Sequence, residues 1–407
     1  MAEKIEKRLG IRADLPPDQS SKDQLRIYMN AGFNILTMTE DFVRAESQAY
    51  LDCLKLCEEI GLDVYIRGYS LETPYYFDRH FPFTDFKKYP AVKGFFVTDE
   101  PWKEQLEEVA EYYVPWFNEK YADAGMAWYL NTYCGESYAH LGGTVKEHFD
   151  YAMKNVYAKL NTENKFFTSD EYPLRRAENG KKYIEDNKEF IPYTALQARV
   201  CRDNKVKFGG YIQSFSGFCD MRKPCSTGEF RFLAYTYLAF GVQQLSYFGY
   251  RATNEWGFDC IVTEDGRPTE QYKYVKELNK ELLSFDREYL SYEWKGALII
   301  DGSVEAETQD RFQQARDNLE YQDQEIKKVE SEYDFIVGCF DDGEKKAYVL
   351  FNYGEPTVSR NNNVKLHFNS IKKFEVLRNG KRSVEEVVDG TLSLEIKNGD
   401  GLFIKEI

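Results

Sequence analysis

The sequence predicts a (β/α)8 barrel followed by a small antiparallel β-sandwich. Three observations lead there. Short apolar runs alternate with helix-patterned segments eight times over residues 9–285, and strands alternating with helices imply parallel pairing that closes at eight units. After Arg287 the helix pattern gives way to strand runs separated by the turn signals "DDGE", "RNGK" and "NGDG". Finally, 407 residues exceed one ordinary domain, while 43% hydrophobic residues support a sizeable core.

The units follow in order. "LGIRADL" is a strand, and "SSKDQLRIYMNAGF" a helix opened by a serine cap. "NILTMTED" precedes the helix "SQAYLDCLKLCEEIGL", which ends in glycine. "DVYIRGY" leads through an aromatic stretch to a short helix near Phe83–Tyr89. "VKGFFVTDEP" enters a long helix, "KEQLEEVAEYYVPWFNEKYADAG". "MAWYLNTYC" and "KFFTSDEYPL" are the fifth and sixth strands, "KFGGYIQSFSG" and "QQLSYFGYR" the seventh and eighth, each followed by a helix pattern. The runs are short and mostly apolar, as expected of strands covered on both faces. The barrel is expected over residues 1–290, a polar and partly helical connection over 291–333, and the sandwich over 334–407.

Composition narrows the function classes. A net charge of −15 argues against nucleic acid or an anionic membrane as partner. The eight cysteines are scattered, with no CxxC, which disfavours a zinc ribbon or disulfide framework and fits a reducing compartment. Cys53 and Cys57, one helical turn apart, are expected to be buried. The start "MAEKIEKRLG" has no apolar signal core. The expected location is cytoplasmic, or exported with a leader removed. His80, His140, His148 and His367 show no ligand spacing, and no GxGxxG, Walker loop or G-x-S-x-G elbow occurs. Neither a metal nor a cofactor is therefore expected; homo-oligomerisation is possible. The 31 Tyr and 29 Phe suit a site that stacks on sugar faces, although core packing also explains such counts.

Barrel sites form at the C-terminal strand ends, so the polar residues there are the candidates. The fourth strand ends on Asp99-Glu100-Pro101-Trp102 and the sixth on Asp170-Glu171-Tyr172-Pro173. The fifth offers Asn131, Tyr133 and Glu136, and the seventh Gln213. The eighth offers Tyr247, Tyr250 and Arg251, the third Arg67 and Tyr69, the second Glu40 and Asp41. Acids before a helix can be simple caps. Two acid pairs on even-numbered strands, however, can face one cavity, because alternate strands share interior layers. Glycoside hydrolysis needs such a pair: an acid that protonates the leaving oxygen and a carboxylate that attacks or activates water. Trp102, Tyr133, Tyr172, Tyr247 and Trp256 would supply aromatic walls.

The ladder "VKGFFVTDEPW", "FFTSDEYPL", "GGYIQSFSG", "LAYTYLAFGVQQLSYFGY" and "VTEDGRPTEQYKYVKELNKEL" resembles bacterial barrel glycoside hydrolases of the large clan that includes the family 42 β-galactosidases. The resemblance covers nearly the whole chain, terminal sandwich included. It implies that Glu100, which matches the clan's acid/base position, is the proton donor. The clan's nucleophile is a glutamate ending the seventh strand, where this chain has Gln213, and an amide cannot attack as a carboxylate does.

The expected function is therefore glycoside hydrolysis of a carbohydrate or glycoconjugate. Glu100 would be the acid and Asp170 the nucleophile or base, with Asp99, Glu171, Gln213, Tyr133, Tyr172, Trp102, Arg67 and Tyr247 binding substrate. Two alternatives stay open: an N-acetylhexosaminidase in which Asp99 orients the substrate's own acetamido group and Glu100 is the acid, and a glycan-binding barrel without catalysis.

Overall fold

In the computed structural model of the chain, the described residues are 8–39, 47–67, 85–133, 143–175, 189–216, 221–253, 259–304 and 309–407. Eight strands close into a parallel barrel, and each lies within the run expected of it. They are β1 (Gly10–Leu15), β2 (Ile35–Thr39), β3 (Asp63–Arg67), β4 (Val92–Thr98), β5 (Ala127–Thr132), β6 (Lys165–Ser169), β7 (Lys207–Gln213) and β8 (Gln244–Phe248). β8 returns to β1 with Gln244 opposite Gly10, which completes the closure.

Alternation along the strands sorts side chains to two cores. Tyr65, Phe96, Tyr129, Phe166 and Tyr211 pack inside the barrel. Their neighbours Ile66, Phe95, Trp128, Phe167 and Ile212 pack outward against the helices.

The helices begin where capping residues stand. Ser21 Oγ accepts from Gln24 N at the start of α1 (Lys22–Asn30), and Ser47 does the same for Tyr50 N at α2 (Gln48–Ile60). Gly61 closes α2 in the left-handed conformation, at φ 75°. The chain between β3 and β4 carries a 3-10 turn at Phe86–Lys88, where a short helix was expected. The helix after β4 is not the single continuous one expected. It runs as α3 (Lys103–Glu108), a π turn (Val109–Tyr113) and α4 (Val114–Lys120). Pro115 gives the reason: without an N–H it cannot close the ordinary helical bond, and a wider turn absorbs the gap. Then come α5 (Val145–Asn155), whose Thr144–Glu147 box caps it reciprocally, α6 (Phe190–Asp203), α7 (Thr227–Ala239) and α8 (Glu270–Leu282). No helix among the described residues is long and apolar enough to cross a membrane.

After α9 (Asp286–Tyr289) the sandwich begins earlier than the sequence suggests. β9 (Glu293–Ile300) pairs antiparallel with β11 (Phe335–Asp341) at the edge of a six-stranded sheet. β10 (Ile326–Ser331) pairs with β13 (Asn361–Phe368) in a three-stranded one. The stretch 291–333 is thus no mere connection. It contributes two strands and, between them, the helix α10 (Gln309–Leu319). Its polarity comes from an edge position: β10 buries Ile326 and Ser331 at its ends and exposes Lys327 and Lys328 between them. The larger sheet runs in the order β15 (Lys381–Glu386), β14 (Lys373–Arg378), β17 (Gly401–Glu406), β12 (Lys346–Asn352), β11, β9; the smaller is β10, β13, β16 (Thr391–Lys397).

Candidate active site

Asp99 and Glu100 follow β4 directly, four and three residues ahead of the start of α3, and neither caps that helix. The residue whose backbone does the capping is Trp102, which donates its N–H to Gln105 Oε1 at 2.7 Å. Asp99 is held from both sides: Asn131 Nδ2 donates to its Oδ1 at 2.8 Å, and Arg67 donates to its Oδ2 at 2.9 Å. Asn131, at the end of β5, is fixed in turn because Thr168 Oγ1 on β6 donates to its Oδ1 at 2.8 Å. Three neighbouring strand ends thus position one carboxylate.

Glu100 has φ 44°, and its N–H donates to Asn131 O at 3.0 Å. Four other described non-glycine residues have positive φ. Lys205 and Glu320 terminate helices, and Asn379 and Asp389 precede glycine in hairpin turns. Glu100 alone of the five serves neither purpose. A left-handed glutamate costs on the order of 1–3 kcal/mol and persists only where surrounding contacts enforce it, typically at functional sites.

The residue is exposed as a whole, opening to the barrel mouth, yet protein encloses its carboxyl on the other sides. That enclosure, with repulsion from Asp99 and Glu171, pushes its pKa up to about 7, although a hydrogen bond with Asp170 acts in the opposite direction. Burial also raises Asp170 well above the ordinary carboxylate range, reinforced by Glu100 and Asp99. Asp170 Oδ2 accepts from Tyr172 Oη at 3.3 Å. Asn131 and Glu100 both lie close enough to interact with it. Two neighbouring carboxyls cannot both ionise cheaply, which adds to the upward shift of each.

Glu100 and Asp170 are thus brought together at the barrel mouth, one from the end of β4 and the other from the end of β6.

The other expected residues divide. Arg67 faces Asp99 and also pairs with Asp14 of β1. Glu171 lies close enough to raise both Glu100 and Asp170. Tyr172 packs edge-on to Phe215 at 5.1 Å and stacks on Phe248 at 5.7 Å, forming an aromatic wall beside Asp170. Trp102, 43% exposed, stands open just past Glu100. Tyr133 packs against the core between barrel and helices. Two expectations fail. Gln213 is fully buried, its Oε1 accepting from Leu174 N and its Nε2 donating to the carbonyls of Leu174 and Arg222, each at 2.9 Å. It clamps two loops and offers nothing to a substrate. Tyr247 points outward from β8 and donates to Asn279 on α8 at 2.7 Å. Its neighbour Phe248, 37% exposed, takes the inward position instead. Arg251, a further candidate, donates to the Glu264 carbonyl at 2.6 Å. Glu40, Asp41, Tyr69, Glu136 and Trp256 lie outside the described residues.

Sequence reasoning missed Arg12 and Asp14. Both lie on the inward face of β1, and the signal was present: two charges at i, i+2 in "IRADL" put both on one side of a buried strand. Among the described residues no group of three or more His, Cys, Asp or Glu side chains is arranged to hold a metal ion.

No protein-family model matches the sequence, and no curated protein matches it. Solved structures match in shape. A catalytic mutant of a GH42 β-galactosidase from G. stearothermophilus superposes with a TM-score of 0.58 at 10% identity, covering 98% of each chain. The fold is that of barrel glycoside hydrolases. α-Galactosidase I from Mortierella vinacea gives a TM-score of 0.52 at 9% identity, over 100% of this chain and 98% of that one. Both likenesses extend over the sandwich as well as the barrel, so the two-part architecture is shared with these hydrolases.

Proposed function

We propose that the protein hydrolyses a glycosidic bond, with Glu100 protonating the leaving oxygen. The observation that carries this reading is Glu100 itself. It is a carboxyl held in a left-handed conformation at the C-terminal end of β4, protonated up to about 7 and open to the barrel mouth. A general acid works best with a pKa near the working pH, and its environment is what sets that value. The shared fold supports the reaction class, and Tyr172, Phe248 and Trp102 supply aromatic surface for a sugar.

The second role has two readings. Asp170 serves as nucleophile or base, its carboxyl close to Glu100. Asp99 serves as an orienting anion: it adjoins Glu100 and is ion-paired to Arg67. The Asp99 reading would take a 2-acetamido sugar whose own carbonyl attacks.

The test is hydrolysis of a panel of aryl glycosides, 2-acetamido sugars included, by wild type and by Glu100→Gln, Asp99→Asn and Asp170→Asn. Glu100→Gln should lower the rate by about 10²–10⁴-fold. The wild-type rate should fall as pH rises through about 7, because Glu100 then loses the proton it must donate. Acetamido-restricted activity with Asp99→Asn the more damaging change selects the assisted reading; the reverse order on other sugars selects Asp170. Saturable sugar binding with no turnover in the wild type would sink the hydrolase reading in favour of a glycan-binding barrel.

A further inference from the structure

Beneath the candidate acid runs a line of charges that ends on Asp99. Arg12 is completely buried inside the barrel. Its guanidinium lies 3.9 Å from the centre of the Tyr129 ring, donates to Thr37 Oγ1 and to Tyr211 Oη (3.0 Å), and pairs with Asp14 Oδ1 at 3.1 Å. Asp14 Oδ2 pairs with Arg67, which lies over the Phe96 ring at 4.5 Å and reaches on to Asp99. The line therefore reads Arg12, Asp14, Arg67, Asp99, from deep in the barrel to its mouth.

Burying an arginine costs several kcal/mol even after relaxation, and an apolar side chain of similar volume commonly packs as well or better. A barrel interior already lined by Tyr65, Phe96, Tyr129, Phe166 and Tyr211 has no packing need for that charge. What Arg12 does provide is a fixed partner for Asp14, whose Oδ2 in turn holds Arg67.

We infer that Asp14 and Arg12 are positioning residues of the site: Asp14 holds Arg67 in the orientation that fixes Asp99, and Arg12 holds Asp14. Among the described residues, Asp14 is faced by Arg12 and Arg67, Arg67 by Asp14 and Asp99, and Arg12 by Asp14, the Tyr129 ring and the hydroxyls of Thr37 and Tyr211. Glu100 is faced by Asp99, Asp170 and Glu171.

The proposal rests on the hydrolase reading only for its kinetic consequence, so the experiment has two arms. The first needs no turnover. Because Glu100 binds its proton more tightly folded than unfolded, its contribution to stability is lost as pH rises through about 7. The Tm advantage of Glu100→Gln over its parent should thus grow between the ordinary carboxylate range and about 7. Asp14→Asn leaves the arginines with one uncompensated positive charge, which favours ionised Glu100. In that background the growth should stop about one pH unit lower and be correspondingly smaller, and Asp14→Glu should restore the original upper limit. A uniform loss of Tm in Asp14→Asn with the window unmoved would overturn the proposal and leave Asp14 a structural residue only.

The second arm measures kinetics on any glycoside the wild type cleaves. Asp14→Asn should lower kcat by up to about 100-fold with KM little changed, and its basic limb should shift down with the stability window. An unchanged kcat would refute the positioning role. A wild type that turns nothing over defeats the hydrolase reading, while the first arm still decides the inference.

Discussion

At Gln213 a single amide decides how the site cannot work. The residue stands where the clan that the sequence resembles carries its nucleophile, but its Oε1 accepts one bond and its Nε2 donates two, all involving backbone atoms of Leu174 and Arg222. Restoring a carboxylate there should therefore fail as a gain of function. Gln213→Glu replaces two donated bonds by a buried negative charge among carbonyl oxygens, and should lower stability by about 3–5 kcal/mol, measured by denaturant unfolding, with no rise in glycosidase activity. A stable, more active variant would show that the segment is free to turn toward the mouth. Glu100 could be read from "TDEPW" because an apolar strand ending on acids is a strong pattern. That Asp170 lies beside it could not, since the approach of two strand ends depends on barrel closure and leaves no trace in spacing along the chain.

Elements convert small register choices into large functional ones. Tyr247 and Phe248 are adjacent and both aromatic, yet one serves the outer packing on α8 and the other the barrel mouth, because successive strand residues face opposite sides. Sequence pattern located β8 correctly and still assigned the wrong ring, since both faces of a barrel strand are covered and hydrophobicity does not distinguish them. β4 shows how tightly the frame is set. Gly94 lies so close to β5 that an added Cβ would stand 2.5 Å from Ala127 O. Gly94→Ala must push the two strands apart, at about 1–3 kcal/mol, and the displacement reaches the site because Glu100 N–H bonds to Asn131 O across the same strand pair. Thermal unfolding should show the loss, with activity at permissive temperature reduced as well. Wild-type activity in a destabilised Gly94→Ala would disconnect β4 spacing from the chemistry.

The barrel and sandwich share one core at the scale of the whole molecule. Phe285 stacks on Phe403 at 5.7 Å, Tyr289 meets Phe340 at 5.1 Å, and Phe232 meets Phe351 at 5.5 Å. Gly338 fits because a Cβ there would stand 2.3 Å from Ala239 O. A buried ionic cluster ties the same faces together: Arg231 of α7 pairs with Glu281 of α8 at 2.8 Å and with Asp400, ahead of β17, at 2.7 Å. Tyr235 donates to Glu281 at 2.7 Å. Removing the cation leaves the buried Glu281 and the half-buried Asp400 without their shared partner, so Arg231→Met should cost up to about 3 kcal/mol. Calorimetry should show barrel and sandwich melting in one transition, moved down in the variant. Two separate transitions in the wild type would mean that the sandwich is an independent attachment.

The sequence by itself determined the eight-fold alternation, the antiparallel C-terminal strands and the acids that end β4 and β6. Periodicity, caps and turn residues act over a few neighbours and are written locally. Only the tertiary structure decided which of those groups meet. It brought Glu100 beside Asp170, turned Gln213 into a clamp, drew β9 and β10 into the sandwich and set a buried arginine beneath the site. Each of these is a contact between residues far apart in the chain, fixed by closure of the barrel and by the packing of one sheet against it.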